Sequence, residues 1–295
     1  MSRRVVLVTG ATGLIGARTI APLRALGFEV HGLSRRPPAE NGMAHISADL
    51  RDPKQAAAVL TALRPSHILH CAWDVTHGVF WDSPDNIAWV AATLTLAHAA
   101  AIHGVEHFIG VGSGVEYDWT INPGTPRRED AAIAPVSLYG IAKDHTRTLL
   151  VALGARTGMR VAWGRVFDLF GAGENPARLV AALLRTLRAG ETFTCRHGHL
   201  ERDYMAAEDV GLALAHLVAS EVGGPVNIAA GKSIAVGDLA RMAAARLGAG
   251  ARLLVEARPA PGQPLVMRVD VGRLHHEVGA PPPGSLDTHL EKLMT

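Results

Sequence analysis

The chain has 295 residues, enough for one large α/β domain or for a domain that carries a smaller lobe. Its net charge is +2 and it has no long run of like charges, so neither nucleic acid nor an anionic membrane is indicated as a partner. The two cysteines lack the spacing of a disulfide framework or a metal site, so a reducing cytoplasm is the expected compartment.

Short apolar segments alternate with longer alanine-rich segments of helical periodicity. The first apolar segment, near the N-terminus, is too short to span a membrane. This alternation predicts a parallel sheet with helices on both faces, built from right-handed βαβ units. The predicted strands are Val5 to Thr9, Glu29 to Leu33, His45 to Ser47, His67 to His70, His107 to Val111 and Arg160 to Arg165. The predicted helices between them are Ile15 to Leu26, Pro53 to Leu63, Asp85 to His103 and Ser137 to Thr157.

The pattern loosens after Gly171. Helices are predicted there at 176–189, 208–220 and 236–247, with short strands near Thr192 and Asn227 and a last helix after a proline-rich stretch. We therefore predict an α/β fold with a Rossmann-type doubly wound parallel sheet over residues 1–165, to which segments near 204–230 return. Residues 166–295 are predicted to form mainly a smaller C-terminal substrate-binding lobe.

A glycine-rich segment, TGATGLIG, joins the first predicted strand to the first predicted helix. The spacing of Gly10, Gly13 and Gly16 allows a sharp turn and a close approach of a pyrophosphate to the backbone. The free N–H groups at the start of the helix favour the same anion. Glycine spacing alone is weak support, but the strand before it and the helix after it supply the required context and predict dinucleotide binding.

The end of the second strand predicts which dinucleotide binds. An Asp or Glu at this position usually binds the 2′-hydroxyl of the NAD ribose, but here the residues are Ser34, Arg35 and Arg36. A guanidinium matches a 2′-phosphate in geometry and in charge, so NADP is the expected cofactor and NAD is the alternative. Asp49 follows the third strand, where its side chain would meet the adenine edge or cap the next helix.

The segment SLYGIAKDH places Tyr139 and Lys143 one helical turn apart on the same face of a helix. A phenol is a weak acid near neutral pH unless a cation lowers its pKa, and Lys143 is predicted to supply that charge. Ser113 lies just beyond the C-terminal end of a strand, which is the edge where ligands bind in open α/β sheets. These residues predict a hydride-transfer site in which Ser113 orients the oxygen that Tyr139 protonates.

Taken together, these segments resemble the extended short-chain dehydrogenases/reductases, the NAD-dependent epimerase/dehydratase family of nucleotide-sugar epimerases, dehydratases and ketoreductases. The resemblance rests on TGATGLIG, DLRD, ILHCAW, GVGSGVEYD, SLYGIAK, GRVFDLFGAG and RDYMAAEDV. It implies Ser113, Tyr139 and Lys143 as catalytic residues. The cofactor-binding residues that we predict are Gly10, Thr12, Gly13, Leu14, Ile15, Ser34, Arg35, Arg36, Asp49, Leu50, Cys71, Ala72, Trp73, Tyr139 and Lys143. The predicted substrate-binding residues are Ser113, Asp168, Arg178 and Arg202.

One departure from the family pattern concerns dehydration. The family's dehydratases carry an Asp-Glu pair directly after the serine, but Gly114 and Val115 stand there in this chain. Glu116 is displaced by one residue and is expected to face elsewhere. Without a carboxylic acid at those positions, 4,6-dehydration is not expected.

Two further departures concern the cofactor and the substrate. Trp89 stands where the family has an Asn near the cofactor, so the pocket is expected to be reshaped. Asp168 replaces the Asn that commonly contacts the nucleotide pyrophosphate. A carboxylate there would repel a diphosphate unless neighbouring guanidinium groups neutralise it. The candidates for that neutralisation are Arg165, Arg178 and Arg202.

The predicted activity is NADPH-dependent reduction of a keto group on a nucleotide-activated 4-keto-6-deoxy sugar. A nucleotide-sugar 4-epimerase with retained NAD is the alternative within enzymes, and a non-catalytic NADP-sensing or interaction protein is the alternative of another class. The long aromatic insert AWDVTHGVFWDSPDN is expected to contact the substrate. The helices at 85–103 and 137–156 are apolar on more than one face, and the matching pair forms a dimer interface in similar proteins, so a homodimer is expected.

Overall fold

The computed structural model describes residues 4–37 and 43–294. The strands in these ranges are β1 (Val5–Thr9), β2 (Glu29–Ser34), β3 (Ala44–Ser47), β4 (His67–His70), β5 (His107–Ser113), β6 (Arg160–Val166), β7 (Asp168–Phe170), β8 (Phe193–Cys195), β9 (Glu201–Ala206), β10 (Gly224–Ile228), β11 (Ser233–Ala235) and β12 (Leu253–Val255). The helices are α1 (Gly16–Ala25), α2 (Pro53–Leu63), α3 (Asp85–Ile102), α4 (Leu138–Thr157), α5 (Leu179–Arg188), α6 (Ala207–Ala219), α7 (Val236–Arg246), α8 (Gly272–His276) and α9 (Leu286–Met294).

Seven parallel strands form the main sheet in the order β10-β6-β5-β4-β1-β2-β3. The strand order reverses between β1 and β4, so the carboxyl ends of these two strands border a crevice of the kind that binds ligands in open α/β sheets. Helices cover both faces, which is why β1 and β4 are buried along their whole length. The predicted doubly wound α/β fold is confirmed.

Two apolar cores sandwich the main sheet. On one face, side chains of α1 and α6 pack against the strands, with Leu23 and Leu214 completely buried. On the other face, α2, α3 and α4 contribute Leu60, Leu96 and Leu150, which are also completely buried. Helix α4 spans 20 residues on this second face and carries Tyr139 and Lys143, so this packing holds the candidate catalytic helix against β5 and β6.

The C-terminal lobe has its own core around β8, β9, α5, α7 and α9. A small sheet of order β11-β9-β7 and the pair β12-β8 support it. After β9 the chain leaves this lobe: helix α6 packs on one face of the main sheet, and β10 joins the edge of that sheet beside β6. The chain then returns to the C-terminal lobe with β11. In the described ranges, every helix is too short or too polar to cross a lipid bilayer.

The helix predicted at 176–189 begins only at Leu179, so the predicted start was wrong by three residues. The side chain of Asn175 accepts a hydrogen bond from the N–H of Ala177 at 2.9 Å, and the N–H of Arg178 bonds to the Asn175 carbonyl. This local turn competes with the first helical turn for the same backbone groups, so the helix starts after it.

Candidate active site

The glycine turn between β1 and α1 is the first part of the site. Gly10 has a φ of +67°, a conformation that side chains disfavour. Its carbonyl accepts a hydrogen bond from the N–H of Gly13 at 2.9 Å. A Cβ atom on Gly16 would lie 2.3 Å from the Gly10 carbonyl oxygen, and one on Gly10 would lie 2.8 Å from the backbone nitrogen of Ala72. The turn therefore requires glycine, and it fits the cradle that a dinucleotide pyrophosphate needs.

The other cofactor positions near this turn lie at the carboxyl ends of β1 and β4. Thr12 is exposed, whereas Leu14 and Ile15 are half-buried directly before α1. The N–H of Cys71 donates to the Thr9 carbonyl at 3.1 Å. Burial raises the pKa of the Cys71 thiol to about 12, so this cysteine stays neutral.

The carboxyl end of β2 carries Ser34, Arg35 and Arg36. The Ser34 hydroxyl donates to the carbonyl of Arg36 at 2.6 Å and contacts Nε2 of His45 at 2.8 Å. This bonding closes the turn, and both arginine side chains are exposed at its surface. Their guanidinium groups are thus accessible to a phosphate at this edge of the sheet.

Asp49 does not cap the following helix, so that alternative was wrong. Helix α2 is capped by Asp52, whose carboxylate accepts a hydrogen bond from the N–H of Lys54 at 2.9 Å. The Asp49 carboxylate instead accepts from the N–H of Arg51 at 3.0 Å, which lowers its pKa. Leu50 is buried behind it. Asp49 thus remains an ionised acceptor at the end of β3.

Ser113, Tyr139 and Lys143 come together at the carboxyl end of β5. Ser113 is the last residue of that strand, and Tyr139 lies in the first turn of α4. Nζ of Lys143 donates a hydrogen bond to the carbonyl of Val111 at 2.8 Å, which fastens α4 to the strand. Lys143 is 4% exposed and Tyr139 is 9% exposed, so both functional groups lie in a largely desolvated site.

The electrostatics of the pair differ from the expectation. Burial and the nearby carboxylate of Glu116 raise the pKa of Tyr139, whereas a hydrogen bond with the Ser113 side chain and the charge of Arg178 lower it. Lys143 does not lower it in this structure, because burial brings the pKa of the lysine itself to about 7. The predicted effect of Lys143 on the Tyr139 pKa therefore stays a prediction.

The insert after β4 forms an aromatic wall around Tyr139. The rings of Trp73, Phe80 and Trp81 meet the Tyr139 ring edge to face, with centroid distances of 6.4, 4.9 and 5.9 Å. The N–H of Tyr139 donates to the Trp81 carbonyl at 2.8 Å, so the insert is bonded to the start of α4. The Trp73 ring also covers Nζ of Lys143 at 3.8 Å, a cation–π distance.

Phe80 and Trp81 were not among the predicted site residues. The aromatic composition of the insert indicated a functional loop, but a contact across more than fifty residues to Tyr139 has no signal in the sequence. Trp89, which replaces an Asn near the cofactor, is buried and stacks on Trp73 at 6.3 Å. Trp89 therefore packs against Trp73 and supports the aromatic wall.

Glu116 faces the interior and not the reacting groups, as expected. Its side chain is completely buried and accepts hydrogen bonds from the N–H of Ser113 at 2.7 Å and from Nε1 of Trp163 at 2.9 Å. It also forms an ion pair with Nε of Arg165 at 2.8 Å. Arg165 is thereby occupied, so the suggestion that it neutralises Asp168 was wrong.

Apart from Ser113, the predicted substrate residues lie in the C-terminal lobe. Asp168 begins β7 and pairs with Tyr204 of β9, and Arg202 is on the same strand β9. Burial raises the pKa of Asp168, while the charges of Arg202 and Arg178 act in the opposite direction. The structure thus brings Asp168, Arg178 and Arg202 into one electrostatic cluster.

Both arginines of this cluster have other partners. Arg178 lies 3.2 Å from the carboxylate of Glu174 and donates to the Leu169 carbonyl at 2.8 Å. Arg202 donates to the Glu201 carbonyl at 2.8 Å. These bonds orient the two guanidinium groups whose charges act on the pKa of Asp168.

The NAD dependent epimerase/dehydratase family matches residues 6–229 of the chain. A GDP-mannose 4,6-dehydratase from Vibrio cholerae is 26% identical over 215 residues, which are 66% of this chain and 53% of the relative, so the chain spans about half of that protein. A dTDP-4-dehydro-6-deoxy-D-allose reductase from Streptomyces bikiniensis is 26% identical over 286 residues, covering 89% of this chain and 86% of the relative.

Among solved structures, the UDP-glucose 4-epimerase of Thermotoga maritima with UDP-glucose superimposes with a TM-score of 0.87. The match covers 98% of both chains at 22% identity, which supports the fold. The family match covers the glycine turn, the serine at the end of β5 and the tyrosine–lysine helix, which are the features that the geometry brings together. This protein belongs to the NAD-dependent epimerase/dehydratase family, the extended short-chain dehydrogenases/reductases, and is an NAD(P)-dependent enzyme of that type.

Proposed function

We propose that the protein is an NADPH-dependent ketoreductase that acts on a nucleotide-activated 4-keto-6-deoxy sugar. The observation that carries this proposal is the site around β5: Ser113, Tyr139 and Lys143 come together at the carboxyl end of this strand, while the neighbouring carboxylate, Glu116, is buried in an ion pair. A proton donor for a carbonyl oxygen is therefore present, and no acid stands at the dehydratase positions Gly114 and Val115. The similarity to the Streptomyces bikiniensis reductase over most of both chains supports the same reading.

The chain's own residues supply binding, orientation and proton transfer. When bound, NADPH supplies a hydride to the carbonyl carbon of the sugar. The Tyr139 hydroxyl donates its proton to the carbonyl oxygen, and the Ser113 hydroxyl donates a hydrogen bond that orients this oxygen. Nζ of Lys143 donates one hydrogen bond to the Val111 carbonyl and lies over the Trp73 ring, and a further N–H is left as a donor for the cofactor ribose.

The aromatic wall favours reduction over epimerisation. A 4-epimerase must present both faces of a transient ketone to one hydride donor, so the sugar has to turn within the site. Three rings lie within 6.4 Å of the Tyr139 ring, and we expect them to restrict that movement. An epimerase that retains NAD remains the alternative, since the same three catalytic residues serve that reaction. Protein purified with stoichiometric bound NAD, and with a preference for NAD over NADP, would favour it.

The proposed mechanism is tested by replacing Tyr139 with Phe. The loss of the proton donor should lower kcat for reduction of a 4-keto-6-deoxy nucleotide sugar by about a hundredfold or more. Tyr117→Phe is the matched control, because the Tyr117 hydroxyl bonds to Asn227 within a separate core and should leave kcat unchanged. Unchanged turnover in Tyr139→Phe would overturn the mechanism. NADPH binding without turnover of any keto sugar would instead favour a cofactor-sensing protein.

The cofactor and the oligomeric state are part of the same proposal. The exposed Arg35 and Arg36 favour NADPH over NADH, which a direct comparison of the two dissociation constants tests. Helices α3 and α4 pack together and expose Ile87 and Leu149, among other apolar side chains. We propose that these faces form a homodimer, and the molar mass in solution is the measurement that decides it.

A further inference from the structure

The carboxylate of Glu116 is bonded to the residue that we propose to orient the substrate oxygen. It is completely buried, and its Oε1 accepts a hydrogen bond from the N–H of Ser113 at 2.7 Å. Oε1 also accepts from Nε1 of Trp163 at 2.9 Å, and Oε2 accepts from Nε of Arg165 at 2.8 Å. One side chain therefore joins the end of β5 to two side chains of β6.

Strand β5 leaves room for this carboxylate at Gly112, the residue directly before Ser113. A Cβ atom on Gly112 would lie 2.0 Å from Nε1 of Trp163 and 2.5 Å from Oε1 of Glu116. Glycine inside a strand costs conformational entropy and often marks a close approach of another group. The close approach of the carboxylate to β5 therefore requires glycine at this position.

Arg165 holds the other carboxylate oxygen of Glu116 in place. The arginine is 1% exposed, its Nη1 donates to the carbonyl of Glu129 at 3.1 Å, and its guanidinium carbon lies 4.4 Å from the centre of the Tyr117 ring. Apolar side chains of similar volume often stabilise a fold at least as well as a buried ion pair does. Stability alone thus gives no reason for a charged pair here, whereas a fixed acceptor for the N–H of Ser113 does.

The bonds around Ser113 leave its hydroxyl proton available. Ser113 and Glu116 form a capping box, in which Oγ of Ser113 accepts a long hydrogen bond from the N–H of Val115 at 3.4 Å. This bond uses a lone pair of the hydroxyl oxygen, and the bond to Glu116 uses the backbone N–H. Neither bond consumes the hydroxyl proton, which can therefore be donated to a substrate oxygen.

We propose that Glu116 is a positioning residue of the active site: its buried carboxylate, held by Arg165, fixes the backbone of Ser113 so that the serine hydroxyl meets the carbonyl oxygen of the substrate. The inference rests on the proposed function for the reaction. Because Glu116 is completely buried, we expect it to act through Ser113 and not on the substrate itself. A misplacement of about 1 Å can lower a rate by about a hundredfold, so the loss of this acceptor should lower kcat.

The bond is tested first without any substitution, by backbone amide hydrogen exchange in the unmodified protein. The N–H of Ser113 should exchange at least about a hundredfold more slowly than an unprotected amide, because its acceptor is buried with it. Exchange of this N–H at the unprotected rate would overturn the proposal.

The kinetic test compares two double variants that differ in one acceptor, with the 4-keto-6-deoxy sugars of UDP, dTDP and GDP as probes. Glu116→Gln/Arg165→Met and Glu116→Leu/Arg165→Met both lack the ion pair, but only the Gln variant keeps a side-chain oxygen for the N–H of Ser113. The kcat of the Leu variant should be at least about tenfold below that of the Gln variant, with KM changed by less than about threefold. The amide of Ser113 should also exchange faster in the Leu variant.

Two further sets of variants control for folding. Glu221→Leu/Arg160→Met makes the same change at an ion pair of β6 whose carboxylate is 83% exposed, so its kcat should stay within about twofold of the unmodified protein. In the Glu116→Leu variant the buried indole N–H of Trp163 loses its acceptor. If this variant does not fold, Trp163→Phe is added to both the Leu and the Gln variant, and the same comparison is made.

A double-mutant cycle with Ser113→Ala separates positioning from a general structural effect. In the Ser113→Ala background, the Leu and Gln variants should differ in kcat by less than about twofold, because the hydroxyl to be positioned is gone. A tenfold difference that persists in this background would show an effect that does not pass through Ser113 and would overturn the proposal. Equal kcat values of the two variants when Ser113 is present would overturn it as well.

The outcomes separate this proposal from the proposed function. If the unmodified protein reduces a keto sugar and the Leu and Gln variants have equal kcat values, the proposed function stands and only the role of Glu116 falls. If the unmodified protein reduces no keto sugar, the proposed function falls. The exchange of the Ser113 amide in the two variants then decides alone whether Glu116 positions this serine, and equal exchange rates would overturn that role.

Discussion

Replacement of Glu116 by Gln tests whether the buried ion pair beneath the active site determines the stability of the fold. Glu116 is completely buried and its partner Arg165 is 1% exposed, with 2.8 Å between the paired atoms. The carboxylate oxygen Oε1 also accepts hydrogen bonds from the N–H of Ser113 and from Nε1 of Trp163. The substitution preserves the shape of the side chain, so it changes charge and bonding but not packing.

The expected loss of stability follows from the bonds that remain. In Glu116→Gln, the amide oxygen can still serve Ser113 and Trp163, but the amide NH2 then points at Nε of Arg165, and both groups are donors. The guanidinium is left buried without its counter-charge, which costs about 3 to 5 kcal/mol. Since domains are stable by only about 5 to 15 kcal/mol, this is a large fraction of the free energy of unfolding.

Chemical denaturation followed by circular dichroism measures this loss. Glu221→Gln is the matched control, because Glu221 pairs with Arg160 at the surface and is 83% exposed, so its loss should stay below about 1 kcal/mol. The double variant Glu116→Gln/Arg165→Met removes the unpaired charge and should recover more than half of the loss. A loss below about 1 kcal/mol in Glu116→Gln alone would refute the reasoning.

Two further predictions concern the cofactor turn and acid stability. Gly16→Ala should abolish NADPH binding in a titration with the cofactor, because the added Cβ would lie 2.3 Å from the Gly10 carbonyl oxygen. Gly27→Ala is the control: no atom lies within 4 Å of its added Cβ, so this variant should retain NADPH binding in the same titration. Burial lowers the pKa of His70 and of His107 to about 3, so both are neutral when folded. Their contribution to stability is therefore complete above the unfolded pKa near 6.5 and is lost as the pH falls toward 3, by up to about 1.4 kcal/mol per pH unit for each group. A free energy of unfolding that stays constant between pH 7 and pH 4.5 would contradict this.

The elements of the N-terminal half were predictable because their signals are local. Helix α2 begins at Pro53 after Asp52, a proline start behind a capping residue, and its predicted bounds match the structure. Strand β4, a short apolar run buried on both faces of a parallel sheet, was also predicted to the residue. The start of α5 was missed because the Asn175 turn competes with the helix for backbone N–H groups.

The residues of the candidate active site were predictable as types but not as an arrangement. The spacing of Tyr139 and Lys143 follows from helical geometry, and the place of Ser113 follows from its strand. The pKa values do not follow from spacing, because they depend on burial and on charges brought from other elements. The expected effect of Lys143 on the Tyr139 pKa stays a prediction for this reason, since burial lowers the pKa of the lysine itself.

The sequence by itself determined the class of fold, the glycine turn that requires Gly10 and Gly16, and the residue that we propose as the proton donor. These features depend on neighbours within a few positions of the chain. The tertiary structure alone decided that Phe80 and Trp81 surround Tyr139, that Arg165 is occupied by Glu116, and that Asp168 faces two guanidinium groups whose charges are largely balanced. Each of those contacts joins segments about fifty or more residues apart or depends on burial, and the free energy of a charge in such a place is set by what the whole fold packs around it.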